Sequence, residues 1–164
     1  MDTSPLHSDL APVAWLLGTW SGVGRGEYPT IDTFTYEETI TFAHVGKPFL
    51  SYAQRTRHAV DGRALHSESG FWRFPRPGRV EVVLAHPTGI VEVLEGTIEP
   101  GLISLRSTTV AETNTAKSVA ATERLFMFPT EAAPTSLSYR VAMAAVGLPL
   151  THHLSASLER QTSG

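Results

Sequence analysis

Seven histidines are the residues best able to do chemistry in this chain: His7, His44, His58, His66, His86, His152 and His153. Imidazole binds metals, moves protons and changes charge near neutrality. No pair of these has the spacing of a helical zinc site, and no three fall together in the sequence. His152 and His153 are adjacent, so on a strand they face opposite ways and at most one looks inward. A Ser-His-Asp triad finds no Gly-x-Ser-x-Gly elbow to support it. Glu37 and Glu38 also point to opposite sides of a strand, which rules them out as a paired-carboxylate site. There is no cysteine, hence no disulfide framework and no thiolate-based zinc or iron–sulfur centre.

The second chemical feature is a run of glycines. Gly22, Gly24 and Gly26 alternate along a strand-like stretch that begins Gly18-Thr-Trp20 and ends Tyr28-Pro29-Thr30. Alternate residues share a face, so the three leave a trough where the strand bends or where another group comes close. A dinucleotide-binding loop would follow a strand and open a helix. Here the glycines follow the one helix-like segment, and Tyr28-Pro29-Thr30 blocks another.

The elements that must position these residues are mostly strands. Asp9 is placed to cap a short helix, with Pro12 in its first turn and Gly18 just past its end. Leu10, Val13, Ala14 and Leu17 form its apolar stripe. Ten strand-like runs follow, beginning near Thr19, Tyr36, Phe49, Ala64, Arg79, Gly89, Gly101, Lys117, Thr135 and Thr151. Turn signals separate them: Asp61-Gly62, Pro77-Gly78, His86-Pro87-Thr88-Gly89, Glu99-Pro100-Gly101 and the Pro129–Pro134 loop. Short turns between successive strands predict an all-β fold. It is a closed antiparallel up-and-down β-barrel of about ten strands with one short N-terminal helix. Closure removes the edge strands, and a barrel of more than about eight strands is wider than its side chains can fill. A cavity follows, and with it a ligand or water.

The remaining bounds are compositional. At 164 residues, with no internal boundary, the chain reads as a single domain over 1–164, with 1–8 expected to be flexible and 161–164 a tail. A net charge of -3 with scattered lysines and arginines offers no nucleic-acid surface. The N-terminus lacks the basic and apolar regions of a signal peptide, and no run approaches the roughly 20 apolar residues of a membrane span. A cytoplasmic protein with no membrane partner is expected.

Several blocks carry a family likeness. Gly18-Thr-Trp20-Ser-Gly22-Val-Gly24 resembles the Gly-x-Trp-x-Gly-x-Gly signature of the nitrobindins, haem-binding relatives of the fatty-acid-binding and lipocalin barrels. The resemblance extends through Phe42 to Leu50, Leu65 to Arg73, His86 to Gly89 and His153-Leu154-Ser-Ala156-Ser-Leu158-Glu-Arg160, and so covers about Leu10 to Arg160. It implies a ten-stranded barrel holding haem b, with ferric iron tied by one histidine of the last strand, His153 in the family frame. A proximal imidazole is a standard axial ligand. His66 corresponds to a distal-side position, and Thr30 and Lys117 to the haem edge, where Lys117 would pair with a propionate.

Strand alternation runs against that assignment. Leu150, His152, Leu154, Ala156 and Leu158 share one face, which puts His152 inside and His153 with Ser155, Ser157 and Glu159 outside. The family frame favours His153, the outer apolar face then packing on the helix or on a second subunit, which leaves room for a homodimer. The implied activity is isomerisation of peroxynitrite to nitrate, with nitric oxide as a further ligand. The alternative is a haem-free carrier of a fatty acid or similar apolar molecule. Such carriers hold a carboxylate with inward arginines, for which Arg55, Arg106, Arg124 and Arg140 are the candidates.

Overall fold

The computed structural model describes residues 4–162. The expected flexible end and tail therefore lie partly outside the described residues, at 1–3 and 163–164. Ten antiparallel strands close on themselves: β1 (Gly18–Tyr28), β2 (Ile31–Ala43), β3 (Phe49–His58), β4 (Ala64–Arg73), β5 (Arg79–His86), β6 (Ile90–Glu99), β7 (Leu102–Glu112), β8 (Val119–Met127), β9 (Ser136–Ala145) and β10 (Thr151–Arg160). Each strand pairs with its neighbours in sequence, and β1 closes the ring against β10. Nine strands begin within two residues of the expected position. The exception, β2, starts at Ile31 because Pro29 and Thr30 turn the chain straight back along β1.

The N-terminal helix differs from expectation in type and cap. It is a 3-10 helix, Ser8–Leu16, capped by His7, whose side chain accepts the Asp9 N–H. Pro12 has no N–H to give to an α-helical ladder. The three-residue repeat also suits the sequence better, since Leu10, Val13 and Leu16 are the buried residues and lie on one edge of a three-per-turn helix. Ala14 and Leu17, read from sequence as part of the stripe, are only half-buried. The helix plugs one end of the barrel. Trp20 Nε1 donates to the Leu16 carbonyl at 2.8 Å, and Trp15 stacks on Phe128 with ring centroids 4.3 Å apart.

Above the plug the barrel is filled in layers. An apolar layer of Trp20, Ile40, Phe42, Leu50, Trp72, Leu105 and Phe126 is buried next to the helix. Tyr36, Tyr52 and Tyr139 stand above it. The glycines of β1 make part of this packing achievable. Gly24 lies opposite Tyr36 and Gly26 opposite Phe34, and a Cβ on either would stand 2.2 Å from the facing ring. The trough read from the sequence is thus filled by the chain itself: by aromatic rings at Gly24 and Gly26, and by the Ser157 carbonyl at Gly22. Lying flat over Gly24 lets the Tyr36 hydroxyl reach Tyr139 Oη at 2.9 Å and the Ser155 carbonyl at 3.3 Å.

Gly24→Val must push the Tyr36 ring aside and break those bonds. A loss of about 1–3 kcal/mol is expected from overpacking. Urea denaturation should show the loss, and it should shrink in a Tyr36→Ala background, where there is no ring to displace. An equal loss in both backgrounds would rule out the close approach as the cause.

Candidate functional site

The barrel end away from the helix opens into a cavity of about 600 Å³. Its walls are apolar near the mouth, with Tyr28, Ile31, Phe34, Leu65, Met143 and Leu154, and polar below, with Gln54, Glu68, Glu92, Arg124 and Tyr139. Thr30, His66, Lys117 and His153 all line it. Thr30 and Lys117 are exposed at the rim. Gly18 and Trp20 lie at the plugged end of β1, and Gly22 and Gly24 further along it, so none of these motif residues lines the cavity.

The last strand resolves the conflict between alternation and the family frame. In the β10–β9 pairing His152 lies opposite Ala142 and Leu154 opposite Val141, leaving His153 as an extra residue. This is a β-bulge, which shifts the phase of alternation by one. Leu154, Ala156 and Leu158 face inward as their apolar pattern predicts, and His153 joins Leu154 on the cavity wall. His152 is turned outward, 40% exposed and 4.0 Å from Glu27 Oε1.

His153 is held on three sides. Its ring stands edge-on to Tyr28 with centroids 5.4 Å apart. Its Nδ1 lies 3.1 Å from the Glu27 carbonyl oxygen, which can only accept, so Nδ1 carries the hydrogen and Nε2 keeps its lone pair. Burial lowers its pKa below the ordinary value, against the hydrogen bond to Glu27, which raises it. The result is a neutral imidazole of fixed tautomer on the cavity wall. That is the donor an axial haem site requires, and the apolar mouth suits a flat apolar ring.

The polar floor was not read from sequence. Arg124 donates through Nη1 to Glu68 Oε1 at 2.6 Å and through Nη2 to Glu68 Oε2 and Glu92 Oε1, both at 3.0 Å. Tyr52 donates to Glu68 Oε1 at 2.8 Å, and the Thr122 hydroxyl donates to Glu92 Oε2. Burial, the largest single influence, would raise both carboxyls, but the Arg124 charge and the hydrogen bonds they accept together outweigh it, holding Glu68 below the usual range and Glu92 at about 2. Arg124 is held well above its ordinary value: burial opposes its charge, and the two carboxylates more than compensate. His66 Nε2 and His86 Nδ1 are 3.1 Å apart beside this cluster, and burial lowers the His66 pKa.

The signal for the floor was in the strand phase. Glu38 sits in step with Tyr36, Ile40 and Phe42, Glu92 with Ile90 and Leu94, and Arg124 with Thr122 and Phe126. A charged residue in the inward phase of an alternating strand should have been read as buried. Among the four arginines considered as carboxylate ligands, Arg124 alone faces inward, while Arg55, Arg106 and Arg140 are exposed.

A closed ten-stranded barrel with an open, partly apolar cavity defines the class of small-ligand-binding β-barrels. Within that class the chain belongs to the THAP4-like heme-binding beta-barrel domain family, whose model matches residues 9–160. It is 54% identical to peroxynitrite isomerase 2 of Mycobacterium avium (strain 104) over 160 residues, 95% of this chain and 97% of that protein. It is 51% identical to the peroxynitrite isomerase of Nocardia farcinica (strain IFM 10152) over 159 residues, 94% of this chain and 92% of that one. The crystal structure of Rv2717c from M. tuberculosis matches it with a TM-score of 0.87 at 45% identity, covering 96% of this chain and all of that one.

Glu38 gives the floor a measurable pH response. It accepts from Gln54 Nε2 at 2.6 Å and from Tyr139 Oη at 2.7 Å, yet burial pushes its pKa up from 4.5 to about 7. The folded chain therefore favours the neutral acid. Stability from this group is complete below about pH 4.5 and is lost as pH rises through 7. Relative to Glu38→Gln, which stays neutral, the parent should lose up to about 3 kcal/mol between pH 4.5 and 8. Urea denaturation across that range checks it, and parallel curves for the two proteins would contradict the assignment.

Proposed function

We propose that this chain holds haem b in the mouth of the cavity through His153 and isomerises peroxynitrite to nitrate. The observation that carries the reading is the bulged His153, with Nδ1 held by the Glu27 carbonyl and Nε2 left as a donor on the cavity wall. Support also comes from the family of haem-binding barrels and from relatives named peroxynitrite isomerase that match nearly the whole chain.

When bound, the haem iron supplies the Lewis-acid and redox chemistry that rearranges the substrate. Peroxynitrite and nitrate have the same atoms and charge, so turnover requires no reductant and no net proton. The chain's own part is to bind, orient and admit. His153 gives the directional bond, and the Glu27 carbonyl fixes its tautomer and increases its basicity. Ile31, Phe34, Leu65, Met143 and Leu154 supply apolar contact. Lys117 at the rim is the cation we assign to a propionate, and Thr30 also lines the cavity. His66, below the mouth, is the polar group we assign to the open side of the iron.

The same site would take nitric oxide, and the lack of cysteine accords with a cytoplasmic location. The haem-free carrier is the weaker reading, since Arg124, the inward one of the four candidate arginines, is already bound by two carboxylates.

Alanine variants at His66, His152 and His153, each reconstituted with ferric haem, test the assignment. His153→Ala should weaken haem binding by about a hundredfold or more and lose the parent Soret band. Its peroxynitrite decay should fall to the rate of buffer. His152→Ala should match the parent, and His66→Ala should keep haem with an altered sixth-position spectrum. Haem loss from His152→Ala with His153→Ala intact would reverse the assignment.

A further inference from the structure

The haem reading uses His66 but not His86, and the two rings have a geometry of their own. His66 Nε2 and His86 Nδ1 are 3.1 Å apart, and His86 Nδ1 is 3.5 Å from Glu68 Oε2. Ligand atoms of the three residues all lie within 4.8 Å of one another. Donors bound at 2.0–2.1 Å to a common tetrahedral centre stand about 3.3–3.4 Å apart. The two measured edges bracket that value.

We propose that His66, His86 and Glu68 form a binding site for one divalent transition-metal ion in the wall of the cavity. Two imidazoles and a carboxylate with an open side are the ligand set of zinc and non-haem ferrous sites.

The surroundings of His86 support a metal in particular. Its Nε2 is buried 2.9 Å from Glu92 Oε1, although out of line for a good hydrogen bond. A ring nitrogen that close to a carboxylate carries the hydrogen, so Nδ1 presents a lone pair towards Glu68 and His66. A carboxylate behind a ligating histidine is the usual outer partner of such sites, fixing the tautomer and increasing basicity. Glu68 is oriented in turn by Arg124 and Tyr52, and its Oε2 also keeps an Arg124 contact at 3.0 Å. The charge favours a cation as well: Glu68 and Glu92 together exceed Arg124 by one negative charge. A hydrogen bond between two neutral imidazoles, from His66 Nε2–H to His86 Nδ1, is the competing arrangement, and it leaves that charge unmet.

The test uses Zn2+ and Co2+ with the full-length protein. Haem-loaded protein dialysed against Zn2+ should retain one zinc per chain beside its iron, by elemental analysis. Co2+ added to the haem-free chain should give visible d–d bands and paramagnetically shifted N–H resonances from two histidine rings. His86→Gln, folded by circular dichroism, should bind Zn2+ at least about a hundredfold more weakly, and Glu92→Gln about 10–100-fold more weakly. His153→Ala should bind Zn2+ as the parent does, which separates this site from the haem ligand. No zinc retained by the parent, unchanged affinity in His86→Gln, or loss of zinc on His153→Ala would each overturn the proposal. Shifted resonances from a single ring in the parent would do so without recourse to any variant.

Discussion

Ten strands close into a cylinder too wide for side chains to fill from both ends. The chain meets this constraint by filling one end completely and leaving the other open. The 3-10 helix and the tryptophan-rich layer are buried at the closed end. Between that layer and the cavity, Arg124, Glu68 and Glu92 lie deep in the barrel. Taking such charges from water costs several kcal/mol per ion, and the cost is tolerable only because each is bonded to another. Removing one partner from a buried pair typically costs about 3–5 kcal/mol, since the survivor is left uncompensated. The floor is therefore a fixed polar surface under an apolar mouth.

That arrangement separates the residues that identify the family from those that face the cavity. Trp20 of the glycine signature ties β1 to the 3-10 helix through the Leu16 carbonyl. Gly24 gives Tyr36 room to lie across the strand and reach Tyr139. Tyr139 in turn donates to Glu38, so a backbone position with no side chain supports a bonded chain running into the floor. The signature acts on the site through packing and hydrogen bonds, without touching the cavity.

How much of this was legible in the sequence depended on whether a feature obeyed a regular period. Strand runs follow the two-residue alternation and are bounded by strong turn residues, so Phe49, Ala64, Arg79 and Thr151 mark strand starts directly. The helical stripe Leu10, Val13, Ala14 and Leu17 follows a 3.6-residue period, whereas the residues that the 3-10 helix buries, Leu10, Val13 and Leu16, repeat every three. The floor was missed for a different reason. The phase of Glu68, Glu92 and Arg124 was available, but three strands had to be read together before the charges could be seen to neutralise one another. His153 lay beyond the periodic rule, because Leu150, His152, Leu154, Ala156 and Leu158 read as one unbroken alternation across the position where the bulge shifts the phase.

The bulge also sets how this imidazole could be gained or lost in a lineage. Removing one codon at position 153 would restore unbroken alternation, leave Leu154, Ala156 and Leu158 packed as before, and take the imidazole off the cavity wall. Inserting one codon would do the reverse. The wall of the barrel and the imidazole on it are thus separable by a single in-frame indel. Gaining or shedding that imidazole then needs no redesign of the strand around it.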